Sequence, residues 1–324
     1  MNPRTAIVTG VSGQDGSYLA ELLLDQGYTV VGLGRGTAGG PRHERLLWRS
    51  CEVTDTPTLE ELLREHRPAE VYNLAAMSSG AGMFDEAIRL GEVNGLAVAR
   101  LLEAIRNVEP RIRLCQASSS ELFGNVQTSP QSEDTPPRPR SPYGAAKLYA
   151  DTMVRIYRER YGMFACSAIL FNHESPRRRL EFVTRKVTHA AASIKLQLES
   201  ELTLGSLEAR RDWGFAGDYV RAMWLMLQHP HAQDYVVASG QTHSVRELCA
   251  IAFGHVGLDY RDFVRENGDS ARAPEAVALV GDASRARCSL NWSPRVSFRQ
   301  MVTDMVDSDL KTIQDRLLEK ASQQ

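Results

Sequence analysis

Residues 5–25 read TAIVTGVSGQDGSYLAELLLD, and this stretch sets the fold. Thr5–Thr9 is a short apolar, β-branched run of the kind that forms a buried strand. From Ser17 to Asp25 the residues are helix formers with the apolar ones on one face. Between them lie Gly10, Gly13 and Gly16, spaced Gly-x-x-Gly-x-x-Gly. Glycines between a strand and a helix allow a tight turn. They also let a pyrophosphate approach backbone N–H groups at the helix N-terminus. A glycine triplet alone is equally compatible with a plain turn. Strand before and helix after favour a dinucleotide site over residues 10–16, with Gln14 and Asp15 inside it.

The alternation continues outward. Thr29–Leu33, Glu70–Leu74, Arg111–Ala117 and Ala165–Leu170 read as strands. Leu59–Glu65, Leu96–Arg106 and a helix opening at Pro142 and running to about Arg160 lie between them, with Ser141 as N-cap. Strands alternating with helices predict an α/β protein with a doubly wound parallel sheet. After residue 171 the alternation loosens. We therefore expect a nucleotide-binding domain over 1–171 and a smaller C-terminal substrate lobe over 172–324, with some segments returning to the main sheet. The run Arg177, Arg178, Arg179 reads by itself as a solvated loop.

Composition excludes several classes of function. The 324 residues carry 40 acidic and 38 basic side chains, a formal charge of −2. Such a balance argues against nucleic acid and anionic membranes as partners. No apolar run approaches the ~18–20 residues of a membrane span, and the N-terminal stretch lacks a signal-peptide pattern. The five cysteines (Cys51, Cys115, Cys166, Cys249, Cys288) form no Cys-x-x-Cys pair. Neither a disulfide framework nor a zinc site is indicated, and a reducing, cytoplasmic setting is expected. His229 and His231 read as surface residues rather than metal ligands.

Three further features carry chemistry. The second strand ends Gly32-Leu33-Gly34-Arg35, without the acid that would bind a ribose 2′-hydroxyl, so Arg35 points to NADP. Thr37, Arg42 and Arg45 are further candidates for a 2′-phosphate. Tyr143-Gly-Ala-Ala-Lys147 places a phenol and an ammonium on one helix face, where the lysine is expected to lower the phenol pKa. Ten tyrosines and five lysines placed at random would give only about 0.15 such pairs. Ser118, Ser119, Ser120 and Glu121 close a strand whose C-terminal end faces the ligand crevice, where they suit a sugar hydroxyl and a proton transfer as well as they suit a plain capping run before a turn.

Together these motifs resemble an extended short-chain dehydrogenase/reductase, with its Rossmann-like sheet. Over nearly the whole chain the sequence is similar to the GDP-mannose 4,6-dehydratases. The segments that carry this are TGVSGQDGSYLAELLL (9–24), EVYNLAA (70–76), QASSSELFG (116–124), PRSPYGAAKLYA (139–150), ILFNHESP (169–176), EFVTRK (181–186) and RRDWGFAGDYVRAMWLMLQ (210–228). The resemblance implies Tyr143 and Lys147 as the oxidising pair. It implies Glu121 as the group handling the C5 proton and departing water, with Ser119 in the place of a threonine. It places Leu74, Ala75 and Glu52 at the cofactor, Glu52 standing where the family has aspartate. It assigns the GDP portion to Asn172, Val183, Lys186, Arg211, Arg272 and Glu275.

The expected reaction is conversion of GDP-mannose, or a close GDP-hexose or heptose, to a 4-keto-6-deoxy sugar. The sequence departs from the family at Met77–Gly82, at Arg179 in place of glycine, and at Arg35-Gly36 in place of an arginine pair. The first two bear on which sugar is accepted, and the third on whether a homodimer or homotetramer forms. Alternatives are a GDP-heptose dehydratase, a C4 oxidoreductase or epimerase without dehydration, and a regulatory dinucleotide-binding protein that has lost catalysis.

Overall fold

Strand β1 (Thr5–Thr9) runs through the centre of the molecule, and its residues Ala6 and Val8 are fully buried. The computed structural model describes residues 4–36, 43–78, 84, 86–267 and 278–322. The glycine turn leads into α1 (Gln14–Asp25), followed by β2 (Thr29–Gly34), β3 (Leu46–Ser50), α2 (Thr56–His66) and β4 (Glu70–Asn73). Helix α3 (Ala87–Gly91) passes through one π-type turn into α4 (Ala97–Val108), which leads to β5 (Arg113–Ala117). Then come α5 (Pro142–Tyr161) and β6 (Ala165–Leu170). Asp55 caps α2 by accepting from the Thr58 N–H, and Ser141 caps α5 by accepting from Gly144 at 3.1 Å.

The C-terminal half supplies β7 (Asn172–Glu174), α6 (Val183–Lys195), β8 (Leu202–Leu204), β9 (Arg210–Phe215), α7 (Ala216–Gln228) and β10 (Tyr235–Val237). It continues with β11 (Thr242–Ser244), α8 (Val245–His255), α9 (Tyr260–Phe263), β12 (Val264–Glu266), α10 (Ser284–Leu290) and α11 (Phe298–Ser322). The main sheet has seven strands in the order β10-β6-β5-β4-β1-β2-β3, and every neighbouring pair is parallel. Chain order reverses between β1 and β4, which opens a crevice beyond their C-terminal ends. Strand β3 has no counterpart in the sequence reading. Its residues Leu46 to Arg49 are only half-buried. It is an edge strand made by pairing with β2 rather than by an apolar pattern of its own.

Helices α1, α7 and α10 cover one face of the sheet, and α2, α4 and α5 the other. Strand β10 joins the main sheet beside β6, and α7 packs on α1. A third core lies between α6, α8 and α11, beneath the small sheet β11-β9-β7. Arg185 of α6 pairs there with Asp309 of α11, which also accepts from the Thr188 hydroxyl at 2.8 Å. Among the described residues, no helix is long and apolar enough to cross a membrane.

Candidate active site

The nucleotide end is built by close packing. Gly10 sits at φ +69°, a left-handed conformation that lets its N–H and that of Val11 bond the Leu33 carbonyl, at 2.8 and 3.3 Å. A Cβ on Gly16 would lie 2.2 Å from the Gly10 carbonyl oxygen, so only glycine lets α1 press onto the turn. The N-cap Gly13 offers no side-chain cap, which leaves first-turn N–H groups of α1 for an anion. Leu74 and Ala75 lie against Gly10, and both their N–H groups donate to Thr9 Oγ1 at 3.0 Å. Thr9 donates to Asn73 (2.7 Å), Asn73 to Gln116 (2.6 Å), and Gln116 to the Ala117 carbonyl (2.8 Å). This buried chain ties together the ends of β1, β4 and β5. The cradle and its open helix terminus fit a dinucleotide pyrophosphate.

Arg35 and Glu52 are exposed just beyond β2 and β3. Arg45 is not with them. It precedes β3 at the opposite end of the strands, where its Nη2 donates to the Leu24 carbonyl at 3.0 Å and closes the C-terminus of α1. Thr37 and Arg42 lie outside the described residues.

Gln14 and Asp15 turn their side chains away from the cradle. Gln14 Nε2 donates to the His173 carbonyl at 3.1 Å, Ser175 Oγ donates to Gln14 Oε1 at 2.8 Å, and His173 Nε2 meets Asp15 Oδ2 at 2.8 Å. His173 Nδ1 faces the Phe171 carbonyl at 2.8 Å. Both ring nitrogens therefore face acceptors, a geometry that suits an imidazolium. Burial opposes that charge in His173 and in Asp15, yet their mutual attraction wins: His173 is raised and Asp15 lowered from their ordinary values.

The residues expected to react sit where β5 ends and α5 begins. Ser119 Oγ accepts from the Glu121 N–H at 3.2 Å and opens the one-turn helix Ser120–Leu122. A Cβ on Gly144 would lie 2.5 Å from the Glu121 carbonyl oxygen, so a bare glycine lets the first turn of α5 rest on the turn holding Glu121. That contact brings Tyr143 and Glu121 into one site. Lys147 is 3% exposed, and its Nζ donates to the Ala117 carbonyl at 2.7 Å and lies 5.7 Å from the Tyr143 ring centroid. The expected lowering of the phenol is not what results. Burial pushes Tyr143 up to about 12, and the Ser119 hydrogen bond and the Arg178 charge offset it only in part. Burial also pushes Lys147 down to about 8, against the charges of Asp151 and Asp15. Desolvation decides the direction, and the Glu121 charge adds to the rise.

The residues expected at GDP gather around the second sheet. Asn172 on β7 pairs with Trp213 on β9, Arg211 is two residues before Trp213, and Val183 and Lys186 occupy the start of α6. Arg272 and Glu275 lie outside the described residues, as do Ser79 to Gly82. Met77 is fixed by Asn94, which accepts from its N–H (2.8 Å) and donates to its carbonyl (2.9 Å). Arg179 is exposed and pairs with Glu181 at 3.2 Å. His229 faces the His231 backbone carbonyl at 2.9 Å.

Two residues escaped the sequence reading. His173 joins the glycine turn to β7. Arg178 lies over the Phe182 ring (3.6 Å), pairs with Glu174 (3.2 Å), and acts on Tyr143, Asp15 and His173. Arg177 stacks on Tyr18 at 3.9 Å and pairs with Glu21 at 2.8 Å. Arg177 thus ties this loop to α1 and Arg178 ties it to β7, whereas Arg179 is exposed as a solvated loop residue would be. The only sequence signal for it was its place directly after ILFNHESP.

A family model described as GDP-mannose 4,6 dehydratase matches residues 7–305. The chain belongs to the GDP-mannose 4,6-dehydratase family. It is 45% identical over 326 residues to GDP-mannose 4,6 dehydratase 1 of Arabidopsis thaliana, covering 95% of this chain and 90% of that one. It is 40% identical to the GDP-mannose 4,6-dehydratase of Vibrio cholerae, over 99% of this chain and 97% of that one. Among solved structures it resembles the UDP-glucose 4-epimerase of Thermus thermophilus in complex with NAD (TM-score 0.82, 26% identity, 94% and 98% covered). The RMD protein of Pseudomonas aeruginosa complexed with NADPH has the same fold (TM-score 0.81, 23% identity, 95% and 99% covered). Family membership agrees with the strand order and the extended dehydrogenase/reductase architecture described above.

Proposed function

We infer that the protein is a GDP-sugar 4,6-dehydratase that uses a nicotinamide dinucleotide, NADP in preference to NAD, and acts on GDP-mannose. The observation that supports the reading is the packing of Gly144 on the Glu121 backbone, together with the charge of Glu121 acting on the Tyr143 phenol. A simple oxidoreductase needs only the phenol and the lysine, whereas a dehydratase needs a second acid–base group. Residues 1–171 hold mainly the cofactor and residues 172–324 mainly the GDP-sugar. Lys186 and Arg211, with Arg272, supply cations for the diphosphate, and Asn172, Val183 and Glu275 hold the rest of GDP.

A nicotinamide dinucleotide held at the glycine cradle would supply the hydride acceptor and donor that the reaction needs. Tyr143 takes the proton of the C4 hydroxyl, with Ser119 orienting that oxygen and Lys147 supplying positive charge. The resulting ketone acidifies C5–H. Glu121 removes that proton and passes it to the C6 hydroxyl, which leaves as water. With GDP-mannose deuterated at C4, the label is expected at C6 of a 4-keto-6-deoxy product. Lasting accumulation of reduced cofactor would defeat this reading in favour of a C4 oxidoreductase.

Preference for NADP rests on Arg35, exposed at the end of a strand that carries no acid. Arg35→Ala is expected to narrow the difference between NADP and NAD affinities, measured by calorimetry. Equal affinities in the unaltered protein would count against the preference.

A further inference from the structure

The face of α5 that carries Lys147 also carries a carboxylate with no part in the chemistry above. Asp151 lies four residues further on, one helical turn along the same face. Its Oδ2 accepts from Ser118 Oγ at 2.9 Å, while its Oδ1 is shielded from solvent and has no hydrogen-bond partner. Ser118 directly follows Ala117, whose carbonyl accepts from Lys147 Nζ at 2.7 Å, and the Ser118 N–H donates to the Ala168 carbonyl at 2.8 Å. Carboxylate and ammonium thus grip adjacent residues at the end of β5.

We propose that Asp151 is a positioning residue for Lys147: held by Ser118, its carboxylate keeps the buried ammonium charged beside Tyr143. This rests on the roles assigned above to Tyr143 and Lys147. Burial drives Lys147 down to about 8, where it would lose its charge within the working range, and Asp151 is the largest influence opposing that fall. Burial, with the charge of Asp234, pushes Asp151 itself up to about 7, so it is ionised where Lys147 titrates. The other groups facing the pair are Asp15 from α1, Tyr143 from α5, the Ser167 hydroxyl from β6, and Asp234 ahead of β10. Asp234 is already paired with Arg158 at 2.7 Å.

The test uses the five lysines of the chain. In protein labelled at lysine Cε, an NMR titration follows each ammonium, and Lys147→Arg identifies the Lys147 signal. A neighbouring anion raises a lysine pKa, so Asp151→Asn is expected to lower the Lys147 midpoint by about one pH unit. The alkaline limb of kcat/KM for GDP-mannose should move down by the same amount. An unchanged midpoint in folded Asp151→Asn protein overturns the proposal. A rate loss equal at every pH, with the limb in place, also overturns it. Should that variant not fold, Ser118→Ala decides. It removes one of the two hydroxyls, Ser167 and Ser118, that favour the ionised carboxylate, so the midpoint should fall by a smaller amount, and no fall overturns the proposal. An unaltered protein that makes no 4-keto product defeats the dehydratase reading alone, and the lysine midpoint still judges Asp151.

Discussion

Glu121→Gln is expected to reduce bound cofactor in a single turnover yet lose water elimination by about 10²–10⁴-fold, the usual span for a general acid–base group. Glutamine keeps the size and the backbone contact with Gly144 but cannot accept the C5 proton. Tyr143→Phe should block both steps, because the C4 hydroxyl then has no group to take its proton. Rapid-mixing absorbance at the reduced nicotinamide band separates the two variants, and mass spectrometry of the product reports dehydration. Normal water elimination by Glu121→Gln would remove the carboxylate from the mechanism. The departure from the family at Met77–Gly82, of which Met77 is anchored on Asn94, would then be the place to seek a different reaction.

Arg185→Met should cost about 3–5 kcal/mol of folding stability, the range for removing one partner of a buried ion pair. Arg185 and Asp309 are each less than a tenth exposed, and after the substitution Asp309 keeps only the Thr188 hydroxyl. The loss falls between α6 and α11, in the lobe whose helix α6 also presents Val183 and Lys186. Adding Asp309→Leu to Arg185→Met is expected to restore most of the stability, because no isolated charge then remains in the core. Urea unfolding of the two variants tests this. A single-variant loss below ~1 kcal/mol would mean the pair behaves like an exposed one.

Much of the site was legible before any fold was known, because its chemistry is written in short local patterns. Tyr143 and Lys147 are four apart on one helix, and the three glycines fall between a strand and a helix. Ser141 and Pro142 mark the start of α5, and the structure has all of these in place. Other residues were legible only through family resemblance. Asn172, Val183, Lys186 and Arg211 share no spacing, and the elements that carry them come together only through the pairing of β7 with β9 and the position of α6 just after β7. Arg45 shows the opposite failure. In sequence it stands near Arg35, but parallel pairing of β3 with β2 carries it to the far end of the sheet.

The amino-acid sequence by itself determined the parallel α/β sheet, the glycine cradle and the placing of Tyr143 and Lys147 one turn apart on a helix, since each depends on residues within a few turns of one another. Only the tertiary structure decided how those groups are charged and what holds them. His173 on β7 and Arg178 in the loop after it lie 158 and more residues beyond Asp15, and they meet it only when the second sheet packs against α1. The ionisation of Tyr143 and Lys147 followed burial rather than their spacing. Desolvation is a property of everything packed around a group, and no local pattern records it.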